Sequence, residues 1–133
     1  MIKLLCCSLF LFQTTSAQGL TIYNDQGGKL NDYVTKVMFL KKTNQFVKFT
    51  GECNSACTLY LYLPADRLCI TKNASFGFHA AYGRSKEDNE TATQFMYSSY
   101  PSWVQDWVTR NGGLTKREIT MKYDYASKHL KGC

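Results

Sequence analysis

Apolar and polar positions along the chain change period several times, and each change marks an element. Gly19 to Asn24 ("GLTIYN") is a short β-leaning run. It stops at "NDQGG", where Asn, Asp and paired glycines end a strand and open a tight turn. From Lys29 the apolar positions recur at helical spacing: Leu30, Tyr33, Val34, Val37 and Met38 share one face, with Asn31, Asp32, Lys36 and Lys42 off it. "TNQ" ends that helix, and Phe46 to Thr50 ("FVKFT") reads as the next strand. Strand, glycine turn, helix, strand is a βαβ unit, which implies parallel strands and a right-handed crossover.

The next stretch reads two ways. "TLYLYL" (Thr58 to Leu63) alternates strictly, as a strand does. The preceding "GECNSA" supplies Asn54 and Ser55, both good N-caps for a buried helix. Pro64 ends the run in either case. "RLCIT" and "SFGFHAAY" predict two more strands separated by a turn at Lys72-Asn73, and Gly83 to Glu90 is polar and loop-like. Farther on, "SYPSWVQDWVTRNGG" places Pro101 near a first turn, Trp103, Val104, Trp107 and Val108 on one face, and Gly112-Gly113 at the stop. "LTKREI" has the form of a capping box, with Thr115 as cap, Glu118 three residues later, and Leu114 against Ile119. The pattern is α/β over the first two-thirds and helical at the C-terminal end.

The 133 residues suffice for one domain, and 44 % hydrophobic with 20 % charged content predicts a folded one. Residues 1–17 read as a secretory signal: Lys3, then the apolar run Leu4 to Phe12, then Thr15-Ser16-Ala17 at the cleavage position. That run is too short to cross a bilayer as a helix. Residues 18–133 then form a single domain, and localisation is periplasmic or secreted. Removal of the signal takes away Cys6 and Cys7 and leaves Cys53, Cys57, Cys69 and Cys133, an even set that reads as two disulfides in an exported chain. Spacing does not choose among the three pairings; Cys57–Cys69 with Cys53–Cys133 is the one we favour. A zinc site from Cys53, Cys57, Cys69 and His79 is the weaker reading, because exported cysteines prefer disulfides. The net charge of +6 is scattered: Lys41-Lys42 and Lys116-Arg117 are pairs, not a stripe with interleaved aromatics, so no nucleic-acid partner is expected. Once the signal is gone, no segment is apolar enough for stable membrane insertion. Asn73-Ala-Ser and Asn89-Glu-Thr are glycosylation sequons, relevant only in a eukaryotic secretory pathway.

Three features suit nucleophilic catalysis, in which a base takes a hydroxyl proton and donors stabilise an oxyanion. Ser55 stands at a possible strand-to-helix junction. His79 lies near the end of a predicted strand. The Gly27-Gly28 turn follows a neighbouring strand and leaves its amides unobstructed. Strand ends on one edge of a parallel sheet are where α/β sites gather. Taken singly, each is more often a cap, a core histidine and a plain turn.

The joint order "YNDQGG", helix, strand, "GECNSACTL", strand, "NASFGFH" resembles the proteolytic subunit of the Clp protease (ClpP) and its crotonase-like relatives. "DQGG" stands where that family has Ser-Pro-Gly-Gly, with Gln26 replacing the proline, and Gly51 to Ser55 has the family's Gly-x-x-x-Ser spacing. "GG…CxSACT…GFHA" and "GGLT" further resemble a group of small exported Clp-like proteins. The likeness covers roughly Leu20 to Tyr82. It implies a ClpP/crotonase-like βαβ core in which "ACTLYLYL" is helical. It also implies Ser55 as nucleophile, His79 as general base, and Gly28, Gly27 and the amide of Ala56 as oxyanion donors. The third member of the triad matches Asp124 in "MKYDYAS" best; Glu118 and Asp106 fit less well.

The expected activity is that of an exported serine peptidase-like hydrolase acting on a peptide or protein substrate. No cofactor or metal is expected, and a homo-oligomer is possible by the resemblance. The alternative is a catalytically inactive Clp-like binding module in the same compartment. Acyl-CoA chemistry of the crotonase kind is disfavoured, since free CoA is not expected outside the cytoplasm.

Overall fold

The computed structural model describes residues 19–133, so the predicted signal sequence lies outside the described residues. Twelve segments of regular structure are built around one strand. β1 (Gly19–Asp25) leads through the glycine turn to α1 (Leu30–Lys42) and then β2 (Phe46–Asn54). A 3₁₀ helix, Ser55–Tyr62, follows β2 directly, and a single 3₁₀ turn, Ala65–Arg67, leads into β3 (Leu68–Ile70) and β4 (Ser75–Phe78). α2 (Lys86–Ser99) and α3 (Ser102–Arg110) come next, then β5 (Ile119–Lys122), α4 (Tyr123–Ala126) and β6 (Lys131–Gly132).

β2 is the axis of the sheet. β1 pairs parallel along it, from Gly19↔Phe46 to Asp25↔Cys53. The other edge of β2 is shared: Val47–Phe49 pair with β3, and Glu52–Asn54 pair with β4, both parallel. The sheet therefore diverges along the length of one strand. β6 extends the β3 branch in parallel, and β5 closes the β4 branch antiparallel. Residues alternate along β2, with Val47, Phe49, Gly51 and Cys53 buried and Phe46, Lys48 and Glu52 exposed. One face thus meets the helices and the other meets solvent. Phe49 of β2 and Phe76 of β4 meet edge-to-face at 4.9 Å. Truncating either ring to Ala should cost about 3–5 kcal/mol.

Close backbone approach sets one glycine in the strand. The β1–β2 register shifts between Ile22 and Asn24, and a Cβ at Gly51 would fall on the carbonyl oxygen of Tyr23. Only glycine fits there.

The predicted βαβ unit is present. The buried face of α1 is Tyr33, Val37 and Leu40, whereas Met38 is 52 % exposed. Tyr33 meets Tyr60 of the 3₁₀ helix edge-on at 5.9 Å. "TLYLYL" is helical, as the resemblance implied and against its alternation; all six residues from Ala56 to Leu61 are buried, so no polar face remains to set a period. α3 carries Val104 and Val108 inward, and Phe78 packs between Tyr100 and Trp107. The glycine stop holds, with Gly113 N–H bonded to Val108 C=O.

Three expectations fail. Gly83 to Glu90 is not all loop: Ser85 caps α2, accepting from Asp88 N–H, and the helix runs to Ser99. "LTKREI" is no capping box. Thr115 Oγ1 accepts from Arg117 N–H in a tight turn, and Ile119 opens β5, because the Ser75–Phe78 edge needs a partner strand. The disulfides are Cys53–Cys57 and Cys69–Cys133, not the favoured pairing. The chain turns back at Ser55, bringing Cys53 and Cys57 to 5.3 Å between Cα atoms, while the β3–β6 ladder brings Cys69 and Cys133 to 4.9 Å. With the Sγ atoms of Cys53, Cys57 and Cys69 all in disulfides, the zinc reading also lapses.

Candidate active site

Ser55 joins the last residue of β2 to the first turn of the 3₁₀ helix with φ +56°. Among the described residues Asn44 is the other non-glycine residue with positive φ. Asparagine tolerates that region; serine held there costs of order 1–3 kcal/mol, which the surroundings must supply. Two restraints do so. The Cys53–Cys57 disulfide spans the bend. Beneath it, Thr58 Oγ1 donates to Ser55 C=O at 2.6 Å and accepts from Tyr100 O–H at 2.6 Å. Burial pushes the Tyr100 phenol well above its ordinary range, so it stays a neutral donor.

The glycine turn lies against this bend. Gly27 has φ +86°, and a Cβ there would stand 2.7 Å from Ser55 Cβ, 2.7 Å from Asn54 O and 3.0 Å from Ala56 N. The bare Cα is what allows the turn and the bend to adjoin. Gly27 N–H is bonded to Asp25 Oδ1 at 2.9 Å. It therefore cannot serve as an oxyanion donor in this arrangement, contrary to expectation. Among the described residues Gly28 N–H and Ala56 N–H carry no hydrogen bond. Ala56 is in the first turn of a helix, where N–H groups lack intrahelical partners. Above the turn, Gln26 is tied to β2 by Asn54 Nδ2–H to Gln26 Oε1 (3.0 Å) and Gln26 Nε2–H to Glu52 Oε2 (2.9 Å).

His79 follows β4, half-buried. Its Nδ1 lies 2.8 Å from Ala80 O. A carbonyl only accepts, so Nδ1 carries the proton, and in the neutral ring Nε2 keeps its lone pair. The loop beyond is fixed by Ala80 N–H to Thr115 C=O and Ala81 N–H to Thr93 Oγ1. Tyr82 packs near the imidazole at 5.7 Å.

Ser55, Ala56, Gly27, Gly28 and His79 line one cleft of about 940 Å³. Its opposite wall is α2, with Ala92, Phe95 and Met96 giving apolar surface, and Lys29, Asp32, Arg84 and Asp88 standing around it. Ser55 and His79 are not hydrogen-bonded to each other.

Asp124 is not brought to the site. β5 runs antiparallel to β4, so Phe78 faces Ile119 while Ser75 faces Lys122. Asp124 therefore lies beyond the Ser75 end, about four residues or ~13 Å of strand from His79. It is exposed, in the first turn of the short helix α4. The carboxylate on the His79 side of that ladder is Glu118, whose Cδ would stand 2.7 Å from a Cβ on Gly77. Among the described residues, no carboxylate hydrogen-bonds either His79 ring nitrogen.

Asp25, Tyr33, Thr58 and Tyr100 were not found from sequence. The Asp-x-Gly string at Asp25 carried a signal, since Asp bonds the amide two residues on in such turns. The other three depend on tertiary contacts.

No family model matches the chain, and no curated protein matches it. Solved structures do. ClpP1 from Listeria monocytogenes (an N165D mutant) superposes with a TM-score of 0.50 at 19 % identity, over 82 % of this chain. The fold is ClpP-like. A peptidase from Plasmodium falciparum gives a TM-score of 0.52 at 11 % identity over 75 % of the chain, and a further enzyme structure gives 0.50 at 11 %. This ClpP-like chain spans 67 %, 60 % and 62 % of those three proteins respectively.

Proposed function

We propose that this chain is a serine hydrolase of peptidase type, acting on peptide or protein substrates in a periplasmic or extracellular compartment. The observation that carries the reading is the bend at Ser55. A serine in a left-handed conformation at a strand–helix junction opens on the same cleft as His79 and two unpaired amides. The ClpP-like fold and the two disulfides support it, the latter by fitting an oxidising compartment. Among the described residues no helix is long and apolar enough to cross a membrane.

In the mechanism, Ser55 Oγ attacks the acyl carbon while His79 Nε2 takes its proton. The oxyanion is received by Gly28 N–H and Ala56 N–H. His79 then returns the proton to the leaving amine, and water releases the acyl group from Ser55 by the same route. The Ala80 carbonyl fills the orienting role that a carboxylate has in a full triad, fixing the tautomer without adding negative charge. This is a Ser-His dyad, and the Ser55–His79 contact tightens when substrate binds.

A fluorophosphonate probe tests this. Covalent labelling should appear in the wild type, vanish in Ser55→Ala and fall sharply in His79→Ala. The second reading is an inactive peptide-binding module, favoured by the lack of a carboxylate on His79. Folded wild-type protein that takes up no label selects the module.

A further inference from the structure

Asp25 and Tyr33 form a contact that the mechanism above does not use. Asp25 is the last residue of β1, and its Oδ1 accepts two hydrogen bonds: Gly27 N–H at 2.9 Å and Tyr33 O–H at 2.6 Å. Tyr33 is buried on α1. Its ring lies beside the turn, where Cε2 would stand 3.6 Å from a Cβ on Gly28, and it meets Tyr60 on the helix that begins at Ser55. One carboxylate oxygen thus joins the end of β1, the amide of the turn and a side chain of the crossover helix. Burial, and then the bond to Asp25, push the Tyr33 phenol above its ordinary range, as expected of a hydroxyl that keeps its proton for that carboxylate.

We propose that Asp25 and Tyr33 are positioning residues that set the direction of the Gly28 N–H by pinning the Gly27 amide beneath it. The inference rests on the hydrolase reading. Its physical content is geometric. A glycine pair has the widest conformational choice of any dipeptide, and a donor that aids an oxyanion must be aimed before the charge appears. Without a restraint the Gly27-Gly28 peptide plane would sample several orientations. With Gly27 N–H held by Asp25 and Gln26 held to β2, the peptide plane before Gly27 is fixed, and the close approach of Gly27 to Asn54 O and Ala56 N narrows the rotations left to the next amide. Asp25 touches neither the acyl group nor Ser55; it acts through the backbone.

The experiment uses the full chain and a fluorophosphonate, with the limiting rate constant and the half-saturating probe concentration measured separately. Asp25→Ala should lower the limiting rate about 10²-fold, the size of effect expected for an ångström of misplacement. Half-saturation should stay near the wild-type value. Tyr33→Phe keeps the ring and should lose about tenfold, the equivalent of one hydrogen bond to a charged group. Asp25→Asn, whose amide oxygen can still accept from Gly27 N–H, should recover most of the Ala loss; a purely steric role would not follow that order. Hydrogen exchange at the Gly27 amide is read in parallel and should accelerate in Asp25→Ala. Wild-type rates in Asp25→Ala, or unchanged Gly27 exchange, overturn the proposal. If the wild type takes no label, the hydrolase reading falls and the catalytic meaning of the pair falls with it. The exchange measurement still decides whether the pair holds the turn.

Discussion

Gly27 and Gly113 offer a matched pair of substitutions. Both have positive φ, +86° and +78°. An alanine at either position meets the left-handed penalty of about 1–2 kcal/mol. The surroundings differ. At Gly113 a Cβ has nothing within 4 Å, whereas at Gly27 it meets Asn54 O, Ser55 Cβ and Ala56 N at 2.7–3.0 Å. Two of those three atoms are backbone, and the third belongs to a residue whose own φ is fixed by a disulfide, so none yields cheaply. Overpacking of this kind adds about 1–3 kcal/mol. Gly113→Ala should therefore cost about 1–2 kcal/mol and Gly27→Ala about 2–5 kcal/mol in urea unfolding monitored by tryptophan fluorescence. The functional difference should be wider. Gly113→Ala should label with fluorophosphonate at the wild-type rate. Gly27→Ala, assayed where it is fully folded, should lose at least 10²-fold, because the strain is relieved by moving Ser55 and Ala56 N–H apart from the turn. Equal stability losses in the two variants, or a folded Gly27→Ala that labels normally, would refute the close approach of turn and bend on which the site depends.

The two disulfides should separate in the same assays. Loss of Cys69–Cys133, which closes a 64-residue separation, should cost about 4 kcal/mol and leave labelling of folded protein intact. Loss of Cys53–Cys57 should cost nearer 2 kcal/mol yet slow labelling, since it frees the Ser55 bend. Thr58→Val should cost about 1–3 kcal/mol by stranding the buried Tyr100 hydroxyl, and melting temperature checks it. Alkaline pH should destabilise the fold. Burial pushes Tyr60 up to about 12 and raises Tyr33 and Tyr100 further, while unfolded tyrosines ionise near 10. The folded state then holds protons that the unfolded state releases, so this stability is whole below about pH 10. Above it each tyrosine loses up to about 1.4 kcal/mol per pH unit, and each Tyr→Phe variant should flatten the slope measured by urea unfolding between pH 10 and 12.

The first βαβ unit was legible because its signals are local. A strand, a glycine turn and a 3.6-residue period need no knowledge of the rest of the chain. The junction at Ser55 was legible from motif spacing, and His79 from its place after a strand. What failed was set by distant partners. Asp124 was matched to the resemblance through the tail stretch "MKYDYAS", but the antiparallel sense of β5 carries it beyond the Ser75 end of β4, away from His79. The same pairing turns "REIT" from a helix start into a strand. The cysteine pairing follows from a chain reversal at Ser55 and from the β3–β6 ladder, neither of which spacing encodes. Asp25 carried a readable turn signature, yet its partner Tyr33 required the phase and docking of α1. α2 was obscured by its composition: half-polar, with Met96 as its one fully buried residue, it has only a thin apolar face to detect.

The placement of β2 has a mechanical consequence. Ser55 extends from a strand that is clamped along both edges, and His79 extends from β4, itself held between β2 and β5. The floor of the cleft is thus as stiff as the middle of the sheet. The facing wall hangs from a different support: it is entered through Gly83, whose φ is +91° with open space around it, and α2 carries its exposed polar residues toward water. Backbone amide exchange at Ser55 and His79 should accordingly lag well behind exchange at Gly83 and the residues leading into α2.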